Sequence, residues 1–294
     1  MNHRPFRFGL NLIPSLSKAD LRKVSRQAED LGYDVLSVSD YITLELPQAG
    51  INRWTTLPPM LALAAAAEAT THIRLATYAV NANLYHPATL VRDTIALQEF
   101  SDDRFELGLG VGYIQGDFAA VGLGERSAGE RIGHLEQTVA EFRRLMRGPV
   151  PPLLIGNSIS ERVQKLATGE ADIVSFTGAF GKSEFSVAKL LSSEDLAARC
   201  ATIRSGLGER AAEVEFNTLV HAISLTPDRG AVPAFPNVEA LSPEQSHQVP
   251  GILSGSPEAV VEDLHRHRET YGISYFTIRV PHMVDFAKVI SKLR

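Results

Sequence analysis

Residues 73–112 read IRLATYAVNANLYHPATLVRDTIALQEFSDDRFELGLGVG, and the fold is decided there. Ile73 to Ala79 reads as a strand. A helix opens at Pro87, and a second strand from Phe105 runs into Gly108, Gly110 and Gly112. Proline suits the first helical position because its φ is preset and the amide it lacks would be unpaired anyway. The helix carries Leu90, Thr94, Leu97 and Phe100 at helical spacing, with Val91 and Ile95 widening the apolar face. Strand, helix and strand within about 40 residues make one right-handed βαβ unit.

The rest of the chain repeats that unit. Phe6–Asn11 reads as a first strand. A helix follows with Leu21, Val24, Ala28 and Leu31 on one face, Ser17 at its cap and Gly32 at its end. Tyr33–Val38 is a second strand, emptying into Asp40 and Tyr41. A loop with Trp54 leads to an alanine-rich helix ending near Thr70. After the glycine run comes a long loop, then a helix from Ser127 to Met146 and a strand at Leu153–Gly156. Next are a helix at Glu161–Thr168, a strand at Ala171–Phe176, a helix at Glu194–Leu207 and a strand at Val214–Ile223. Thr226–Gly255 is rich in proline and reads as a long insertion beside the barrel rim; such loops are functional or disordered. A helix from Ser256 to Tyr271 and a strand at Ser274–Val280 complete eight strand–helix units. The expected architecture is a (β/α)8 TIM barrel, one domain over residues 1–294, with the insertion before the last helix–strand unit.

Composition narrows the function. The chain has 294 residues, 44% of them hydrophobic, enough for a substantial core. A net charge of -5, with no basic run, argues against a nucleic-acid partner. A single cysteine, Cys200, excludes an intramolecular disulfide framework and fits a reducing compartment. The N-terminus lacks the apolar segment of a signal peptide, and the longest apolar run is interrupted by Glu68, so no membrane association is expected and the location is cytoplasmic.

In such a barrel, active sites form where strands end and βα loops begin. That rule selects Asn11, Asp40, Tyr41, Tyr78, Ala79, Val80, Asn81, Gly110, Tyr113, Asn157, Ser158, Ile159, Ser160, Gly178, Arg279 and His282. They hydrogen-bond and stack more than they carry charge, which suits a flat ligand better than a metal. His86, His134, His221 and His282 show no metal-ligand spacing, and His86 reads as a helix-opening residue. His265 and His267 stand two apart on a helix and read as solvated, and Asp102-Asp103-Arg104 reads as a polar turn. Glycines in a barrel strand serve either close packing or a close ligand. The turn Gly156–Ser160 opens a helix and is either an anion site, with Arg162 in support, or plain capping. No catalytic triad elbow or nucleophilic cysteine motif occurs, so an enzyme here would rely on a cofactor.

The chain resembles the luciferase-like flavin and deazaflavin oxidoreductases. The likeness rests on AEDLGYDVLSVSD, on residues 69–112, on RSAGERIGHLEQTV, on PPLLIGNSISERVQKLAT and on the segment from Ser254 to Val280. Between Gly112 and Glu136 it is most similar to members using coenzyme F420. The resemblance implies a barrel, often dimeric, whose cofactor ring lies against a bulge after strand three. A non-proline cis peptide there maps to Tyr78–Ala79 or one bond later. It also implies a cofactor phosphate near Asn157–Ser160. Two departures stand out: Asp40-Tyr41 replaces the Asp-His of many deazaflavin members, and Val111 stands where FMN-binding members carry a phosphate-gripping arginine.

The expectation is therefore a coenzyme F420-dependent oxidoreductase acting on a small organic substrate, reducing an activated C=C or C=N bond. Tyr41, Tyr113 and His282 are its candidate proton donors, and Trp54 and the insertion wall the substrate side. The alternatives are an FMN-dependent monooxygenase and a non-catalytic flavin-binding barrel. A homodimer is expected from the resemblance alone.

Overall fold

The computed structural model describes residues 4–13, 16–43, 57–157, 160–176, 179–180, 189–227, 242 and 247–294. The strands are β1 Arg7–Leu12, β2 Val35–Val38, β3 Arg74–Thr77, β4 Val80–Asn81, β5 Phe105–Gly110, β6 Leu153–Asn157 and β7 Ile173–Phe176. They continue with β8 Ala179–Phe180, β9 Lys189–Leu190, β10 Glu215–Leu219, β11 Ala222–Ser224, β12 Ile252–Ser254 and β13 Ile273–Arg279. The helices are α1 Lys18–Asp30, α2 Pro59–Ala67, α3 Pro87–Phe100, α4 Gln115–Ala120, α5 Ala128–Leu145, α6 Glu161–Glu170, α7 Ser193–Leu207, α8 Pro257–Tyr271 and α9 Met283–Leu293. The main sheet has the order β3-β2-β1-β13-β10-β7-β6-β5-β4, and β3 also pairs with β5. That is the connectivity of a (β/α)8 barrel whose third strand is interrupted. Among the described residues, no helix is long and apolar enough to cross a membrane.

Two compact units divide the chain. One comprises Met1–Leu10, Leu31–Asp34 and Asn157–Arg294; the other comprises Asn11–Asp30 and Val35–Gly156. In the first, β10 lies between β7 and β13, parallel to both. Its inner polar residues satisfy one another: Ser175 Oγ donates to Asn217 Oδ1 at 2.7 Å, and Asn217 Nδ2 donates to Thr277 Oγ1 at 2.9 Å. Buried polar groups are tolerated when paired in this way. Helix α8 is capped by Ser256, whose hydroxyl accepts the Ala259 N–H, and it ends at Gly272 with φ 73°.

In the second unit β3 pairs with β2 and β5, and β5 pairs with β6, all parallel. Pro87 does stand at the start of α3, and His86 caps it by accepting the Ala88 N–H, as the sequence predicts. The apolar face is narrower than predicted. Leu90, Val91, Thr94 and Leu97 are buried, whereas Ile95 is 40% and Phe100 62% exposed. At 3.6 residues per turn, the latter two lie about 100° and 120° from the centre of the buried arc. The polar turn before β5 is present, and Arg104 anchors it by donating to the carbonyls of Ser101, Ile73 and Ala67 and to Thr70 Oγ1. Asp102 and Asp103 before it take positive φ values of 51° and 60°.

Three other expectations are corrected. The predicted strand Val214–Ile223 is two strands, β10 and β11. The stretch taken as an insertion contains β12, which pairs parallel with β11 through Ala222↔Ile252 and Ile223↔Leu253. Short parallel pairings of distant segments leave no periodicity to read. His267 is 1% exposed, not solvated, because α8 buries Val260, Asp263, Leu264, His267 and Tyr271 along one stripe. Burial there pushes its pKa down to about 3. Cys200 is buried too, and its thiol is pushed up to about 12.

Candidate active site

The third strand is broken by a bulge. Ala76 pairs with Glu106 and Val80 with Leu109, so four steps on one strand oppose three on the other. The extra residue falls at Tyr78–Ala79, whose peptide bond is cis, as the resemblance implies. A bulge disrupts the ladder locally, and the freed groups need other partners. Thr77 supplies them: its hydroxyl accepts the Gly108 N–H at 2.8 Å and donates to the Gly108 carbonyl at 2.9 Å. The Tyr78 N–H donates to the Val38 carbonyl, and the Tyr78 carbonyl accepts from Ser39 Oγ at 3.2 Å. Asn11 Nδ2 in turn donates to Ser39 Oγ at 3.0 Å, and Ser37 Oγ donates to Asn11 Oδ1. Thr77→Val keeps the shape and strips both bonds from Gly108. The expected cost is about 2–4 kcal/mol, seen as a lower urea midpoint at unchanged slope.

The glycine run divides by position. A Cβ at Gly108 would stand 2.1 Å from the Thr77 carbonyl oxygen, so Gly108 serves packing at the bulge. Gly112 has φ 63° and lies against the Asn81 side chain. At Gly110 a Cβ would meet only Ala79 Cβ at 3.6 Å and the Val80 carbonyl at 3.9 Å, which leaves that half-buried position accessible.

Asp40 follows β2 and is 7% exposed. Its Oδ2 accepts the Asn81 N–H at 3.1 Å, and its Oδ1 accepts the Tyr85 hydroxyl at 3.2 Å. Burial raises its pKa to about 7 against those two bonds, with the charge of Asp117 adding to the rise. The Tyr85 hydroxyl is raised in turn by its own burial and by Asp40. In the same unit the Tyr41 and Tyr113 hydroxyls stand 3.3 Å apart, with Tyr113 56% exposed. Asp40, Tyr41, Tyr78, Ala79, Val80, Asn81, Gly110 and Tyr113 thus belong to one unit.

The other predicted positions do not join them there. His282 closes the 3-10 turn Val280–His282 in the first unit, where burial lowers its pKa. Asn157 ends β6. Ser160 occupies the cap position of α6, but its side chain makes no capping bond. Ser158, Ile159, Gly178 and Trp54 lie outside the described residues.

Sequence reasoning missed several groups. The loop expected after Gly112 contains the short helix α4, and Asp117 on it is 2% exposed. Two arginines lie close to Val111. Arg126 donates to Asn83 Oδ1 at 3.0 Å, while Asn83 Nδ2 donates to the Val111 and Arg131 carbonyls. Arg131 donates to the Arg126 carbonyl, yet its buried Nε has no hydrogen-bond partner. Buried groups without a partner call for an explanation such as an absent anion. The only signal in the sequence is the spacing of two arginines within GERSAGER, which reads equally well as a solvated turn. Among the described residues no cluster of metal-ligating side chains occurs.

The residues present leave room for a flat, anionic cofactor: a bulge with an accessible glycine beside it, a buried carboxyl, and an arginine nitrogen without a hydrogen-bond partner. Comparison with known proteins bears on this class. Residues 5–184 match the luciferase-like monooxygenase family, and the chain belongs to it. The 4-hydroxyprotoasukamycin monooxygenase of Streptomyces nodosus subsp. asukaensis is 29% identical over 139 residues, 47% of this chain. The match covers only 34% of that relative's length. Among solved structures, an F420-dependent secondary alcohol dehydrogenase bound to an F420–acetone adduct aligns with a TM-score of 0.71 at 16% identity, covering 99% of this chain and 100% of that one. The oxygenating constituent of 3,6-diketocamphane monooxygenase from Pseudomonas putida, bound to FMN, aligns with a TM-score of 0.70 at 15% identity, covering 99% and 96%. At such identities the structures speak for the fold alone.

Proposed function

We propose that the protein is a coenzyme F420-dependent oxidoreductase that reduces an activated C=C or C=N bond of a small organic substrate. The observation that carries this reading is the break in the third strand at Tyr78–Ala79, with the buried Asp40 carboxyl accepting the Asn81 N–H beside it. A deazaflavin held at the bulge would supply a hydride. The chain's own residues do the rest. Tyr78, Ala79 and Val80 back the ring, and Gly110 leaves room for it. Asp40 would hold a proton at its carboxyl beside the Asn81 amide. Arg126 and Arg131 would offer positive charge to an anionic tail. Tyr41 or Tyr113 would deliver a proton to the atom next to the one that accepts the hydride. One hydride and one proton together saturate the double bond.

A second reading is an FMN-dependent monooxygenase; the name of the 29%-identical relative supports the monooxygenase part of it. Val111 in place of a phosphate-gripping arginine weighs against it. Equilibrium dialysis against oxidised coenzyme F420 and, separately, FMN discriminates them. Saturable binding of the deazaflavin, with FMN at least about tenfold weaker, a difference of about 1.4 kcal/mol, is the expected result. Tight binding of FMN alone moves the protein to the monooxygenase reading, and binding of neither, oxidised or reduced, overturns the cofactor assignment.

A further inference from the structure

Asp117 is among the most deeply buried carboxylates of its unit, and beyond its charge acting on Asp40 the reading above gives it no role. A single oxygen, Oδ1, accepts three hydrogen bonds: from the Ile42 N–H at 3.1 Å, the Thr43 N–H at 2.7 Å and the Thr43 hydroxyl at 2.8 Å. These donors lie directly after Tyr41, and Asp117 lies four residues after Tyr113. The carboxylate therefore ties together the two backbone segments that carry the hydroxyl pair. A second observation agrees. A Cβ at Gly116 would come within 2.5 Å of Thr43 Oγ1, so the glycine lets Thr43 seat against α4. Hydrogen bonds to an ionised acceptor are stronger than neutral ones, and three on one buried oxygen fix direction as well as distance.

We propose that Asp117 is a positioning residue for the Tyr41–Tyr113 pair, holding the Tyr41–Thr43 turn on α4 so that both hydroxyls face one substrate atom. The proposal rests on the oxidoreductase reading for what the pair does, but not for how it is held. The six-residue helix is thus an anchor for the substrate-side wall, and the pair acts as one unit rather than as two independent side chains. Asp117 also contributes its charge to the setting of Asp40, whose other neighbours are Asn81 and Tyr85.

The test uses the full chain with 3-fluorotyrosine incorporated, the Tyr41 and Tyr113 resonances being assigned from Tyr41→Phe and Tyr113→Phe. In the apoprotein, Asp117→Ala is expected to move both resonances toward those of a solvated tyrosine. It should also speed amide exchange at Ile42 and Thr43 by about tenfold or more. Asp117→Asn keeps the accepting oxygen and is expected to restore both signals to near the wild-type values. Thr43→Val, which removes one bond of three, shifts both resonances less and in the same direction, and serves if Asp117→Ala does not fold. Wild-type resonance positions in Asp117→Ala, or in Thr43→Val where the alanine variant does not fold, overturn the proposal, as does failure of Asp117→Asn to restore them. Adding coenzyme F420 is a separate arm: if neither tyrosine responds in the wild-type protein, the oxidoreductase reading falls while the positioning result stands on the apoprotein.

Discussion

Gly108→Ala is expected to cost the protein about 3–5 kcal/mol, a large share of the 5–15 kcal/mol by which a domain is typically stable. The new methyl would sit 2.1 Å from the Thr77 carbonyl oxygen, and its opponent is backbone already committed to the bulge. Relief would have to come from parting β3 and β5, which would also draw Thr77 away from both of its bonds to Gly108. Gly110→Ala, two residues on, is the control. Its methyl meets only ordinary contacts, and the substitution removes some backbone freedom from the unfolded chain, so stability should stay within about 1 kcal/mol of wild type. Under the proposed function, that methyl occupies space meant for the cofactor and weakens coenzyme F420 binding about tenfold or more. Urea unfolding and equilibrium dialysis on both variants separate the two roles. A Gly108→Ala protein as stable as wild type would show that the Thr77 carbonyl does not exclude a side chain.

Asp40 gives the second large effect, and its sign is set by the direction of its shift. The folded-state pKa is raised to about 7 from the ordinary carboxylate range, so the native protein keeps a proton that the unfolded chain gives up at lower pH. Stability from this group is greatest below about pH 4, falls as pH rises through the interval up to about 7, and is level above it. The total fall is on the order of 4 kcal/mol. Asp40→Asn can still pair with both the Asn81 N–H and the Tyr85 hydroxyl after an amide flip, and it does not titrate. Relative to wild type it should gain stability steadily between pH 4 and pH 7. Asp40→Ala leaves two buried donors without an acceptor and should be about 2–4 kcal/mol less stable than Asp40→Asn at every pH. Under the proposed function it should also lose binding of coenzyme F420. Denaturation midpoints from pH 4 to 8 decide the matter; parallel curves for wild type and Asp40→Asn would mean that Asp40 ionises normally.

The sequence made the repeating framework legible because local rules govern it. Pro87 and His86 mark a helix start, Gly272 a helix end, and the apolar runs mark buried strands. The candidate site positions came from counting strand ends, and the bulge at Tyr78–Ala79 followed from the resemblance. What could not be read depends on partners far away in the chain. Nothing local to His267 says that its face of α8 is covered. Ile252–Leu253 becomes a strand only through Ala222 and Ile223. Arg131 and Asp117 are charged residues in a stretch rich in glycine, where solvation is the natural reading. The polarity that makes each look exposed is neutralised by groups that folding brings in: Asp117 by three donors after Tyr41, Arg131 in part by the carbonyl of Arg126.

Thr77 has one further consequence. Both bulge bonds to Gly108 run through one side chain with a branched Cβ, and such side chains have few χ1 wells available. The edge of the site is therefore fixed by a nearly frozen rotor, not by a ladder that breathes with the sheet. Little configurational entropy is left there for a ligand to quench, so the ordering cost of binding falls on the loops instead.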